Sequence, residues 1–232
     1  VRSYTVTDDR DQNAGLHPPA DGGRRLRSAV VATYIAFIAV GFTFASWASE
    51  IPEVRDRLDL SSAELGLVLL SIAAGSVISL PLAGPVVSRI GSQRTVAITA
   101  VINGIAVVGV AFGHLAGVLP LVIALFFLGF GQGAWAVAMN VQGAIVERRL
   151  GRAIMSRFHA GFSVGTVAGA LIGAATKALD VSATVHLAVV GLLVAASIPF
   201  AVRGFVPDTE PVTDDQPEAP KRSALAAWRE PR

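Results

Sequence analysis

Six long, nearly uncharged stretches divide this chain, with short charged or glycine- and proline-bearing segments between them. They run over approximately 28–49, 65–88, 95–113, 117–146, 158–177 and 181–203. A helix needs about 20 apolar residues to cross the hydrocarbon core of a bilayer, and each stretch supplies that length. The third and fourth belong to one uncharged segment, 95–146. It breaks at Gly113-His114-Leu115-Ala116-Gly117 with Pro120 just beyond, a combination that predicts a tight turn between spans. The pattern predicts an all-α membrane protein whose six-helix transmembrane domain covers 28–203. Residues 1–27 are polar, carry Asp8, Asp9 and Asp11, and lack the basic-then-apolar order of a secretory signal. They read as a disordered cytoplasmic tail. Residues 204–232 read as a cytoplasmic linker rich in Pro, Asp and Glu. It ends in a short basic segment over 221–229 suited to a membrane surface.

Composition agrees with that division. The chain is 53% hydrophobic and 16% charged, against about 25% charged in soluble domains. The absence of cysteine excludes disulfides and cysteine-ligated metals. A net charge of +2 gives no reason to expect a nucleic-acid partner. The distribution of Lys and Arg is informative: 16 of the 19 fall in segments on the same side as the N-terminus, and only Arg55, Arg57 and Lys177 fall on the other. Basic loops stay in the cytoplasm, so the expectation is a multi-pass protein of the cell (inner) membrane with both termini inside.

Several positions are candidates for chemistry. In the fifth stretch Gly161, Gly165, Gly169 and Gly173 recur every four residues, which puts them on one helix face and allows close approach of a neighbouring backbone. In the fourth, Gln132, Trp135, Met139 and Gln142 are spaced to share a face, with Asn140 beside it. Amides in hydrocarbon need partners and should point into the bundle. They either bond between helices or line a polar cavity, where Trp135 could stack on an apolar or sugar-ring face. Trp47 reads as an interfacial anchor, and Glu50 and Glu53 as wet residues near the headgroups, with Glu50 also a candidate for a substrate or proton role. His159 falls at the inner start of the fifth stretch. No P-loop, zinc pattern or nucleophile arrangement is present, so no enzyme activity, metal or cofactor is expected.

The segment Gly84-Pro85-Val86-Val87-Ser88-Arg89-Ile90-Gly91-Ser92-Gln93-Arg94 resembles the signature between helices 2 and 3 of the major facilitator superfamily. Gly84, Arg89 and Gly91 match. Ser88 stands where the family usually has Asp, and Ser92 where it usually has a basic residue. The stretches Gly133-Ala134-Trp135-Ala136-Val137-Ala138-Met139-Asn140-Val141-Gln142-Gly143 and Met155-Ser156-Arg157-Phe158-His159-Ala160-Gly161 look like helices 4 and 5 of a fucose-permease-like bacterial branch. The resemblance covers about 28–205. It implies one half of a major facilitator fold, built as a 3+3 inverted repeat. It also implies a charge network in which the loop from Gly84 to Arg94 meets Glu147 and Arg148 at the end of the fourth helix, weakened by the neutral Ser88. Ala136 replaces an acid frequent in that branch, leaving His159 as the one membrane-embedded acid or base of helices 2 to 6. Proton coupling would then use Glu50 or a second half.

The function implied is secondary transport of a small solute, a sugar or other small metabolite, by alternating access, with membrane lipid around the bundle and a second six-helix half as partner. Two alternatives stay open: half of an exporter of hydrophobic compounds, and a truncated, non-transporting remnant or scaffold.

Overall fold

A computed structural model describes residues 20–208 of the 232, and all regular structure among them is helical. The helices are α1 (Ala20–Arg57), α2 (Ser62–Ala116), α3 (Val118–Leu150), α4 (Met155–Ala178) and α5 (Ala183–Ala201), followed by a 3-10 turn at Val202–Gly204. Among the described residues five helices are long and apolar enough to cross a membrane. The expectations for the tail over 1–19 and for the basic segment over 221–229 lie outside the described residues.

Helix ends depart from the uncharged stretches for local reasons. α1 begins at Ala20, inside the segment read as tail, and continues through Arg57 rather than stopping at Ser49. Charge bars a residue from hydrocarbon but not from a helix, so α1 extends past the apolar part at both ends. α2 starts with a capping box, in which the Ser61 hydroxyl accepts from the Glu64 N–H and the Glu64 carboxylate accepts from the Ser61 N–H. The break before α3 falls at Gly117, where φ is +121°.

The 55 residues of α2 are not one continuous helix. Gly91 has φ +84° and ψ +160°, a conformation that a side chain would strain, and the helical parts 62–90 and 92–116 meet there. At 1.5 Å per residue, each part alone is long enough to cross a bilayer.

α1 packs chiefly on α4, and α2 on α3 and α5. Lipid is as apolar as a leucine side chain, so these contacts gain little from hydrophobic burial and rely on close packing. Glycines provide it in reciprocal pairs. A Cβ on Gly41 would lie 2.2 Å from the Phe162 carbonyl oxygen, and one on Gly165 would lie 2.0 Å from that of Ile38. Gly75 and Gly129 repeat the arrangement between α2 and α3, with Phe126 O and Ile72 O each 2.0 Å away. Gly104 and Gly191 repeat it between α2 and α5. The other glycines of the α4 face take part as well: Gly161 meets Tyr34, Gly169 meets Phe42 and Gly173 meets Ser49, all on α1. Large apolar side chains such as Leu67, Val77 and Leu119 point outward, as lipid contact requires.

Candidate functional site

A cavity of about 390 Å³ opens among α1, the first part of α2, α3 and α4. Its wall is Val40 and Phe44 from α1, Ser76 from α2, Gln132, Gly133, Ala136, Met139 and Asn140 from α3, and His159 and Phe162 from α4. The polar groups are few and convergent. The Gln132 amide nitrogen is buried without a hydrogen-bond partner. Asn140 donates to the Ala136 carbonyl within its own helix at 2.7 Å, and Ser76 donates to the Gly129 carbonyl at 3.0 Å. The His159 ring meets Phe37 edge-on with centroids 5.2 Å apart. No Asp, Glu, Lys or Arg lines the cavity.

The expected face of α3 is divided by this arrangement. Gln132, Met139 and Asn140 reach the cavity, while Trp135 and Gln142 are fully buried in the bundle. The lining residues 132, 136, 139 and 140 follow the i, i+4, i+7, i+8 rhythm of a helix face, turned away from Trp135 and Gln142. Trp135 belongs to the inner-half core with Phe37 and Phe158 and keeps its indole N–H unpaired. The Gln142 amide is structural. Oriented to satisfy its neighbours, it accepts from the Val206 N–H at 2.9 Å and donates to the Val206 carbonyl at 3.1 Å and the Ser92 hydroxyl at 3.0 Å.

Trp47 and Glu50 also lie away from the cavity. Trp47 is buried in the core of the other half of the bundle rather than at an interface. Glu50, expected to be wet, is fully buried, because three groups from other helices enclose it. His186 Nδ1 of α5 is 2.7 Å from its Oε1, and Lys177 Nζ of α4 is 3.0 Å from its Oε2. Lys177 also pairs with Glu53, whose other oxygen accepts from the Ala183 N–H at the start of α5 at 3.1 Å. This network clamps α1, α4 and α5 together. His186 corrects the expectation that His159 is the one embedded titratable group of the later helices, as does His114, buried and 3.0 Å from the Val110 carbonyl. One signal in the sequence could have found the pair: Glu50 closes one apolar stretch and His186 opens another on the same side, so they sit at matching depth.

The loop around Gly91 has a different acid from the one expected. Asp208, beyond α5, accepts from the Ser92 hydroxyl at 2.6 Å and from the Ser92 N–H, at the start of the helical part 92–116. Backbone N–H groups at a helix start favour an anion, and residues 204–208 are docked there rather than leaving as a linker. Glu147 instead accepts from the Ile154 and Met155 N–H groups at 2.7 and 2.6 Å and caps α4. Ser88 donates to the Pro85 carbonyl of its own turn at 2.9 Å. Gly84 meets open space, Arg89 and Arg94 are exposed, and Arg148 lines the same groove as this loop.

Five apolar helices, a lipid-exposed surface and an uncharged cavity at a helix seam define a multi-pass membrane protein built to hold a small molecule rather than to catalyse a reaction. A family-wide match to the Major Facilitator Superfamily covers residues 29–232, and the chain belongs to that family of transporters. It is 36% identical over 143 residues to an uncharacterized MFS-type transporter of Yersinia pestis, a match covering 62% of this chain and 37% of that protein. It is 33% identical over 172 residues to the uncharacterized transporter y4wD of Sinorhizobium fredii, covering 74% and 45%. It is 30% identical over 155 residues to the membrane protein MosC of Rhizobium meliloti, covering 67% and 37%. The chain therefore matches less than half the length of these relatives.

Proposed function

We propose that the chain is a six-span half of a secondary transporter, oriented with both ends of the bundle domain in the cytoplasm. It carries a small uncharged solute, such as a sugar or other metabolite, by alternating access with a second six-helix half. Two structural features support the spans and their repeat. Gly91 separates two membrane-length parts of α2. The seam glycines Gly41, Gly75 and Gly104 recur as Gly129, Gly165 and Gly191, which are 88, 90 and 87 residues further on. Exchanging the two sets converts the α1–α4 contact into the α3–α2 contact and leaves the α2–α5 contact in place, as a 3+3 inverted repeat requires.

The observation that carries the transport reading is the unpaired Gln132 amide in the cavity wall. A buried donor left without a partner costs about 1–3 kcal/mol, and a solute oxygen would recover much of that. With no formal charge in the wall, an ionic solute would leave its hydration shell without compensation. The test is uptake of labelled monosaccharides into proteoliposomes, with the chain alone and with a second six-helix half. Gln132→Leu should weaken apparent affinity about three- to tenfold. Absence of flux in both arrangements would overturn the proposal and leave a non-transporting scaffold. The apolar share of the wall, Val40, Phe44, Ala136, Met139 and Phe162, favours a second reading as half of an exporter of hydrophobic compounds. In that case a lipophilic dye, not a sugar, would be moved.

A further inference from the structure

A separate cavity of about 620 Å³ lies at the end of the α1–α4 seam, on the side of the arginine-rich connections. Its floor is apolar: Leu26, Val30, Val31 and Tyr34 of α1, with Leu150 and Ile154 from the α3–α4 connection. Its rim holds Arg27, Arg152 and Arg157, contributed by α1, the connection and the first turn of α4. Among the described residues none of the three guanidinium groups has an ion-pair or hydrogen-bond partner, and no carboxylate lines the cavity. The nearest acid in sequence, Glu147, is already engaged by the backbone of Ile154 and Met155. Val31 is 58% exposed, so the apolar floor continues onto the outer surface of α1.

Three unpaired arginines above an apolar trough, at the depth where a transmembrane helix leaves hydrocarbon, match the two ends of a phospholipid: phosphate on the rim and glycerol and acyl chain below. We propose that this cavity is a binding site for an anionic phospholipid headgroup that bridges α1 to the start of α4. Arginine forks bind phosphate bidentately, and basic pockets between transmembrane helices are suited to such headgroups. The site is distinct from the solute cavity and shares no residue with it.

The test uses the full chain in nanodiscs containing phosphatidylglycerol and phosphatidylcholine, with retained lipid read by native mass spectrometry after extraction. Phosphatidylglycerol should be retained in preference. Neutralising the rim as R27Q/R152Q/R157Q should weaken retention about fivefold per arginine, on the order of a hundredfold for all three. The lysine triple R27K/R152K/R157K, which keeps the charge, should restore much of it, and R89Q/R94Q should leave it intact. Each variant is checked for parental elution and helical circular dichroism. The proposal fails if the glutamine triple retains phosphatidylglycerol like the parent, or if both lipids are retained alike. It also fails if inorganic phosphate binds with the same arginine dependence while lipid does not. If lipid binds only after residues 209–232 are deleted, the occupant is the chain's own acidic segment and the proposal again falls.

Discussion

Removing Glu50 should unfold the bundle before it affects solute recognition. In Glu50→Ala the buried His186 loses its 2.7 Å partner while its Nε2 is already unpaired, and Lys177 is left with Glu53 alone. Breaking a buried ion pair from one side costs about 3–5 kcal/mol. A shift of about 2–4 °C per kcal/mol for a domain of this size gives a fall in Tm of about 6–20 °C. Glu50→Gln keeps an oxygen to accept from His186 and gives up only the charge, so it should fall by less than half as much. Lys177→Met should cost about 1 kcal/mol or less, because that side chain is partly exposed. A cycle of Glu50→Gln and His186→Ala should show coupling above about 0.5 kcal/mol, as expected for residues in contact. The assay is thermal unfolding in detergent followed by circular dichroism, alongside solute binding. The reasoning is refuted if Glu50→Ala melts within about 2 °C of the parent while solute binding is lost, which would put Glu50 in the solute path rather than in a clamp.

Other substitutions test other parts of the account. Gly165→Leu and Gly129→Leu should each destabilise by about 1–3 kcal/mol or more by forcing helices apart. Gly84→Leu, which meets open space, should be silent in the same melt. Glu147→Ala removes the acceptor at the start of α4 and should cost about 0.5–2 kcal/mol, with faster hydrogen exchange at the Ile154 and Met155 amides. Gly91→Ala must place a side chain at φ +84° and should cost about 1–3 kcal/mol, whereas Gly22→Ala should not.

The rhythm of charge along the chain was enough to place the helices and the turn at Gly117, because charge in hydrocarbon is costly whatever the fold. The four-residue glycine repeat from Gly161 to Gly173 located the α1–α4 seam for an equally local reason: only close approach explains so many missing side chains on one face. The rotation of α3 was not legible. In lipid, both the outer face and the core face of a helix are apolar, so polarity marks no single direction, and Trp135 and Gln142 look as though they belong with Gln132. Which acid serves which helix start also depended on the fold. Glu147 turned to α4 and Asp208 came from beyond α5, contacts between residues 7 and 116 apart in the chain. The wet reading of Glu50 failed because its partners lie on other helices, and only their matching depth hinted at them.

The central claim is that α2 crosses the membrane twice, with the turn at Gly91 on the arginine-rich side, giving six spans. The chain has no cysteine, so single cysteines report without background. Asp56, Leu119 and Leu179, exposed residues at one end of the bundle, and Gln93 and Ser156, exposed residues at the other, would each be replaced by cysteine in intact cells. They would then be challenged with a membrane-impermeant maleimide. The account predicts labelling from outside at 56, 119 and 179, and labelling at 93 and 156 only after the membrane is permeabilised. Labelling at 93 from the same side as 56, or protection of 119 alongside 93, would contradict it.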